Sequence, residues 1–300
     1  MKFALPIILA SVMAMPAAAT TLRITVTNET GALGSGGFAL TPVYTAFHDG
    51  SFTAFEEGQA ASRGVETIAE VGVIGPVMGE RVAATTDSNG VVNSQGQIFS
   101  PITDPTTNPP GRRPLSAGES DTVEVTIDDP TDRRFFTFLS MVIPTNDLFI
   151  GSEGQGIELF NMAGDFIGPS LLNITGADIY DAGTEVNQVL RDVNGDLLES
   201  GIAFAAGQSG NLGEEETGAG VIAQDGFAEL AQFLGLSTVA GFDIADTQGL
   251  LGGISAADFS VASISFEVVA PVPLPAGGLM LLSAMGLGGF AARRRKQRAA

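Results

Sequence analysis

Alternating hydrophobic and polar positions mark strands at both ends of the central part of the chain. Leu22, Ile24 and Val26 alternate with polar residues near the start, and the segment from Phe259 to Val269 alternates in the same way near the end. A period of two residues is typical of a strand that buries one face. The pattern therefore predicts a β protein whose first and last strands each contribute one face to a core.

Two more strands are predicted near the middle of the chain. The segment from Val123 to Ile127 alternates, the segment from Phe135 to Ile143 is an apolar run, and Asp128-Asp129-Pro130 lies between them. Acidic residues next to proline favour a turn. A turn of this kind between two strands predicts a β-hairpin.

Helical spacing is confined to two short segments. Val65, Ile68 and Ala69 fall on one helical face, which predicts a helical turn around Glu66 to Glu70. The apolar spacing from Phe227 to Leu236 predicts a second short helix.

Two long segments have the composition of loops. Residues 84–118 are rich in Thr, Asn, Gly and Pro, and residues 207–220 are rich in Gly and Glu. No repeat of fixed period is visible. We therefore predict an all-β fold, one antiparallel β-sandwich with long loops and one or two short helices, over residues 20–270.

The N-terminus has the order of a secretion signal. Lys2 is followed by an apolar run from Phe3 to Val12 and by the small residues Pro16 to Ala19. The apolar run is too short for a transmembrane helix. Residues 1–19 are therefore predicted to be a signal peptide that is cleaved after Ala19.

The C-terminus combines a short motif, an apolar stretch and a basic cluster. Val272 to Ala276 reads VPLPA, no charge occurs from Leu274 to Ala292, and a basic cluster runs from Arg293 to Arg298. A helix of about 19 residues is just long enough to cross a bilayer. Since positive charge stays on the cytoplasmic side, the body is expected to face outward.

A plain membrane anchor is one interpretation of this end. The order of motif, span and basic tail also resembles the VPLPA variety of the PEP-CTERM class of bacterial sorting signals. That resemblance implies a sorting peptidase of the exosortase kind that cuts near the motif. Residues 271–300 would then be a sorting signal whose transmembrane helix anchors the protein in the inner membrane only transiently.

Charge and cysteine content narrow the classes of partner and site. The net charge of −20 becomes −26 once both ends are removed, because six basic residues and no acidic ones leave with them. Such a body repels nucleic acid and attracts divalent cations. The chain has no cysteine and one histidine, His48, so it offers no zinc-thiolate or two-histidine site. We interpret His48 as a structural hydrogen-bonding residue.

Three blocks of sequence together resemble the spondin-type domain, the N-terminal domain of F-spondin that also occurs in exported bacterial proteins. They are Thr45 to Phe52, Phe138 to Gly151 and Asp181 to Glu185. The resemblance implies a β-sandwich with calcium at one end, held by carboxylates from two loops. Carried over by position, the implied metal ligands are Asp147, Asp181 and Glu185, the last standing where the animal family has Asp.

The residues themselves are compatible with such a site. Calcium accepts about six to eight oxygen ligands at flexible angles. Gly183 allows the tight backbone turn that brings Asp181 and Glu185 together. The alternative is that these acids are turn formers bonded to their own backbone, which is common for Asp next to Gly.

A second acidic segment has the spacing of a calcium loop but lacks its other features. Asp192, Asn194 and Asp196 stand at positions one, three and five, yet position six is Leu197 and position twelve is Ala203. Calcium loops need Gly and Glu at those two positions. We interpret this segment as a solvated turn.

These observations predict an exported, non-enzymatic module with calcium as its cofactor and no catalytic residues. The expected location is the cell surface or extracellular matrix, and the expected partner is an extracellular polysaccharide or protein. One alternative is a matrix-glycan hydrolase, for which Glu56-Glu57 or Glu66 with Glu70 could act as acid and base. Another is a purely structural protein associated with exopolysaccharide.

Overall fold

The structure is a computed structural model, and it describes residues 19–106, 110–189, 191–197, 221–238, 241 and 243–269. Residues 1–18 of the predicted signal peptide, the predicted loop 207–220 and the predicted sorting signal lie outside these ranges. The strands are β1 Thr20–Asn28, β2 Ala39–Leu40, β3 Val43–His48, β4 Ser94–Phe99, β5 Ile102–Asp104, β6 Gly111–Arg112, β7 Ser120–Ile127, β8 Phe135–Ile143, β9 Leu148–Gly151, β10 Ile157–Glu158, β11 Leu171–Thr175, β12 Ile179–Asp181, β13 Leu236–Ser237, β14 Asp243–Ile244 and β15 Ser260–Val269. The helices are α1 Arg63–Val71, α2 Gly75–Thr85 and the 3-10 helices Gly176–Asp178 and Gly226–Phe233.

Two antiparallel sheets form the body of the protein. The smaller sheet has the order β11-β15-β1-β7, and the larger has the order β12-β9-β8-β3-β4, with β2 and β10 also paired to β8. Leu22, Ile24 and Val26 on the inner face of β1 belong to one core cluster with Phe136 of β8. The rings of Phe136 and Phe266 meet across the sheets at 5.1 Å between centroids. The prediction of a mostly β, antiparallel fold with few helices is confirmed.

The two α-helices cover the outer face of the larger sheet. Val65 and Ile68 of α1 and Val77 of α2 share a second buried cluster with Tyr44 and Phe149 of that sheet. The side chain of Ser62 accepts a hydrogen bond from the Val65 N–H and so caps the start of α1. The central strands of the sheet are thus buried on both faces, which explains why β8 is a continuous apolar run and does not alternate.

Both predicted helices exist, although the second is not an α-helix. α1 spans the segment predicted around Glu66 to Glu70. The segment predicted from Phe227 to Leu236 is a 3-10 helix, Gly226–Phe233, that buries Leu230 and Phe233 in the main core. These apolar residues are therefore buried in the core, as their spacing in the sequence indicated.

The predicted hairpin between residues 123–127 and 135–143 is wrong. β7 pairs with β1 in the smaller sheet, whereas β8 pairs with β3 and β9 in the larger one. The connecting turn is tight, since Asp129 Oδ1 accepts hydrogen bonds from the N–H and the hydroxyl of Thr131. The turn carries the chain from one sheet to the other, because each strand has an apolar face that the opposite sheet can bury.

The prediction that residues 84–118 form a loop is also wrong. This segment contains the end of α2, the six-residue strand β4 and the small β5–β6 hairpin. β4 reads SQGQIF and occupies the edge of its sheet. An edge strand with polar side chains gives no alternating signal, so backbone pairing with β3 decides its structure.

Within the residues that the structure describes, no helix is both long enough and apolar enough to span a membrane.

Candidate metal centre

The register of two short strands places the predicted ligands side by side. Leu148 of β9 is paired with Asp181 of β12, so Asp147 and Ala182 are the next residues on each strand. The Ala182 N–H donates to the Asp147 carbonyl at 3.2 Å. Two loops therefore meet at one end of the larger sheet. We call residues 144–147 the first site loop and residues 182–187 the second.

Asp147 and its neighbour Asn146 connect the two site loops by hydrogen bonds. Asp147 Oδ2 accepts from the backbone N–H groups of Thr184 at 3.0 Å and Glu185 at 3.1 Å. Asn146 Nδ2 donates to the Val186 carbonyl at 2.9 Å. The first site loop thus holds the second in a fixed conformation.

Asp181 combines a turn-forming contact with a contact across the site. Its Oδ1 accepts from the Gly183 N–H at 2.6 Å, which is the turn-former arrangement that the sequence left open. Its Oδ2 accepts from Asn187 Nδ2 at 2.8 Å. Gly183 has φ +62°, as the tight turn requires, and a Cβ there would lie 2.7 Å from the Val221 carbonyl oxygen.

All three predicted ligands are buried, which is rare for carboxylates. The exposed fractions are 0% for Asp147, 6% for Asp181 and 1% for Glu185. Burial, and next the charge of Asp181, raise the pKa of Asp147 to about 8, although the N–H groups of Glu185 and Thr184 oppose this effect. Burial therefore opposes ionisation of Asp147, because little water reaches the site to solvate a charge.

Asp147 Oδ1 is the atom that points most directly to a missing ligand. It is buried and has no hydrogen-bond partner among the residues that the structure describes. An unsatisfied buried carboxylate oxygen costs free energy unless a cation or donor occupies the space beside it. The oxygen-only chemistry of these three acids suits a hard cation such as calcium.

The side chains do not yet form a closed ligand shell. Nowhere in the described part of the chain are three or more His, Cys, Asp or Glu side chains placed so that they could hold a metal ion. The acids suit calcium in kind, and their side chains would have to move closer together to bind it.

Glu229, which sequence reasoning missed, also faces this group of acids. It lies in the 3-10 helix Gly226–Phe233, and its Oε1 accepts from Asn187 Nδ2, the same nitrogen that donates to Asp181. Burial and the charge of Asp181 raise the pKa of Glu229 to about 7. No motif marks Glu229, and only the folded chain brings it to the site from 44 positions beyond Glu185.

Two other sequence candidates, Asp192 and His48, have structural roles. Asp192 Oδ1 accepts from the N–H groups of Asn194 and Asp196, which makes an exposed turn of the kind expected. His48 is fully buried; its Nδ1 accepts from the Gly50 N–H at 3.1 Å and its Nε2 lies 2.9 Å from Thr137 Oγ1. His48 is therefore a structural hydrogen-bonding residue, as its interpretation from the sequence stated.

Comparison with known proteins adds a family match to this geometry. The family model described as Spondin_N matches residues 37–190, just over half of the chain. This range contains both site loops and the helices α1 and α2, and it ends before Glu229. No curated protein matches the chain significantly.

Proposed function

The chain belongs to the Spondin_N family, and from that membership we propose that it is an exported, non-enzymatic binding module whose site loops hold a calcium ion. The family indicates an extracellular adhesion-type module. The calcium ion and the absence of catalysis go beyond the family match, and the burial of three carboxylates supports the calcium ion.

The observation that carries the calcium proposal is the burial of Asp147 with one carboxylate oxygen unpartnered within the described part of the chain. Its side chain is completely buried, it lies against the charges of Asp181 and Glu185, and one of its oxygens has no hydrogen-bond partner among the described residues. Burying several carboxylates together without a cation is strongly unfavourable. A divalent cation would offset that cost.

Asp147, Asp181 and Glu185 would hold the ion, and calcium would supply positive charge that neutralises their carboxylates. The chain itself already orients the site. Backbone N–H groups fix one oxygen of Asp147 and one oxygen of Asp181, while the other oxygen of Asp147 has no hydrogen-bond partner among the described residues. Calcium would then stabilise this end of the sandwich, because it binds the folded chain and not the unfolded one.

The change Asp147→Asn tests the calcium site. In the natural protein, saturating calcium should raise the melting temperature by about 5 to 10 °C relative to EDTA, since ligand at about 100 times its Kd contributes about 2.7 kcal/mol. Asp147→Asn keeps an oxygen for the N–H groups of Thr184 and Glu185 but removes the charge. It should abolish the calcium response without lowering the melting temperature in EDTA.

Asp132→Asn is the matched control, because Asp132 is exposed on the turn after β7 and the whole of β8 separates it from the first site loop. This variant should keep the full calcium response in the same melting experiment. Equal melting temperatures in calcium and EDTA for the natural protein would eliminate the calcium proposal.

The proposed partner is a polysaccharide or protein of the extracellular matrix, since the family is adhesive and the body is strongly acidic. Binding of the purified body to carbohydrate and matrix-protein arrays, with and without calcium, would identify it. Turnover of a matrix glycan that Asp181→Ala abolishes while the fold survives would replace the binding module with the hydrolase.

A further inference from the structure

The acids of the site are not confined to the two site loops. Glu229 reaches the same group from the 3-10 helix Gly226–Phe233, which lies beyond the part of the chain that matches the family. We call Asp147, Asp181, Glu185 and Glu229 the acidic cluster. Asn187 Nδ2 lies between Asp181 and Glu229 and donates to both.

The segment that carries Glu229 is built onto the site. The backbone of Ala223 and the backbone of Asp181 exchange two hydrogen bonds, of 2.8 and 3.0 Å. On its other side the segment pairs with the chain before α1, where Ile222 N–H donates to the Gln59 carbonyl at 3.0 Å. Residues 221–223 therefore form a strap that holds the 3-10 helix next to Asp181.

The start of the 3-10 helix lies directly on the strands that position the ligands. A Cβ at Gly226 would come within 2.8 Å of Ile179 Cγ2 and 3.0 Å of Leu148 Cδ2. A side chain at position 226 would therefore force these buried side chains to shift, and glycine avoids that. Leu230 and Phe233 then anchor the helix in the main core. Glu229 is held at the cluster by packing on both sides of it.

The contact of Asn187 with Asp181 and Glu229 indicates that, among the residues described, these two acids lack a positively charged partner. The single neutral amide nitrogen of Asn187, an exposed residue, donates to both carboxylates. A cation satisfies two carboxylates far better than a neutral donor does. The buried, unpartnered Oδ1 of Asp147 is an independent sign, in the same cluster, of a positively charged ligand.

We infer that Glu229 is a fourth acidic group of the calcium site, so that calcium fastens the segment 221–238 onto the two site loops. This inference rests on the proposed calcium site. Its consequence is that calcium reinforces the docking of a segment outside the family domain, and with it the surface that this segment presents to a partner. An additional carboxylate also raises the affinity of an oxygen site for calcium.

The test measures calcium affinity by calorimetry and the hydrogen exchange of peptides from residues 221–238, each in calcium and in EDTA. In the natural protein, calcium should slow exchange in this segment. Glu229→Gln keeps an acceptor for Asn187 and removes the charge. It should weaken calcium binding about tenfold or more, and it should abolish the calcium-dependent protection of the segment.

Glu56→Gln is the matched control, since it removes one exposed negative charge from the segment before α1, which pairs with the strap but contributes no acid to the acidic cluster. It should leave both calcium affinity and segment protection unchanged. Melting temperatures in EDTA verify that each variant is folded.

The results distinguish the role of Glu229 from the existence of the calcium site. Failure of the natural protein to bind calcium would remove the proposed site, and the inference with it. Calcium binding by the natural protein, with the same affinity and the same segment protection in Glu229→Gln, would overturn the inference alone.

Discussion

Asp147 and His48 are both fully buried polar residues, but they differ in how completely their polar atoms are hydrogen-bonded. His48 has a neighbour at each ring nitrogen, with the Gly50 N–H at Nδ1 and Thr137 Oγ1 at Nε2. Asp147 has two N–H donors on one oxygen and none on the other. A satisfied buried group serves the fold, whereas an unsatisfied one indicates a ligand.

The hydrogen bonds of His48 require the neutral ring. Nδ1 accepts from the Gly50 N–H, so the single proton resides on Nε2 and is donated to Thr137. Burial lowers the pKa of His48 to about 4; the nearby charge of Asp49 opposes this effect and that of Arg81 adds to it. A second proton would cost the Gly50 contact and place a charge in the core.

This pKa predicts a dependence of stability on pH. The unfolded chain binds a proton at His48 below about pH 6.5, while the folded chain does so only below about pH 4, so this contribution to stability is complete above pH 6.5. It is lost as the pH falls from 6.5 to 4 and amounts to about 3 kcal/mol. Urea unfolding at a series of pH values should show that loss.

His48→Gln is the variant that isolates this effect, because glutamine does not titrate. Its free energy of unfolding should fall less steeply than that of the natural protein between pH 6.5 and 4. Parallel curves for the two proteins would show that the pKa of His48 is not lowered by folding.

Among the elements, the strap of residues 221–223 depends on one glycine. Gly183 has φ +62°, and its missing Cβ leaves room for the backbone of Val221, whose oxygen and nitrogen would lie at 2.7 and 2.9 Å from it. Gly154 has nearly the same conformation, φ +64°, with nothing within 4 Å of a Cβ. A comparison of substitutions at the two glycines therefore distinguishes the cost of backbone strain from the cost of a steric clash.

Alanine at each position is predicted to have a different cost. Gly154→Ala should destabilise the protein by about 1 kcal/mol through its left-handed backbone alone. Gly183→Ala should cost about 2 kcal/mol more, because the clash with Val221 is with backbone that cannot rotate away. Chemical unfolding measures both values. Similar losses at the two positions would mean that the strap does not pack against Gly183.

The central strands show how far local patterns determine an element. β1 and β15 alternate because each has one face on the core and one in water, so both are predictable. β8 is buried on both faces and β4 is polar at an edge, so neither alternates. The partner of β7 depends on which sheet offers an unpaired edge, and no residue near its turn encodes that choice.

At the scale of the whole molecule, the acidic body and the two ends make one consistent case for export. The chain without its ends has a net charge of −26, which favours divalent cations over nucleic acid as partners. The family match supports an extracellular module. We propose that the N-terminal signal is removed and that the sorting peptidase cuts near the motif Val272 to Ala276.

Processing at both ends predicts the peptides of the mature protein. Mass spectrometry of material from the cell surface or matrix should find Thr20 as the first residue and no peptide much beyond Ala276. Recovery of the intact tail from Arg293 to Arg298 would instead favour a plain membrane anchor.

The sequence by itself determined the β class, the half-buried strands and the helix α1, because periodicity encodes them. The resemblance to the spondin-type domain implied the three acids in two loops. Only the tertiary structure decided which sheet each strand joins, the strand nature of β4 and the approach of Glu229 and Asn187 to Asp181. Those features arise from pairing and packing between residues far apart in the chain, where many partners have similar local patterns. The candidate calcium site combines both sources, since the sequence supplies its carboxylates and the fold buries them together.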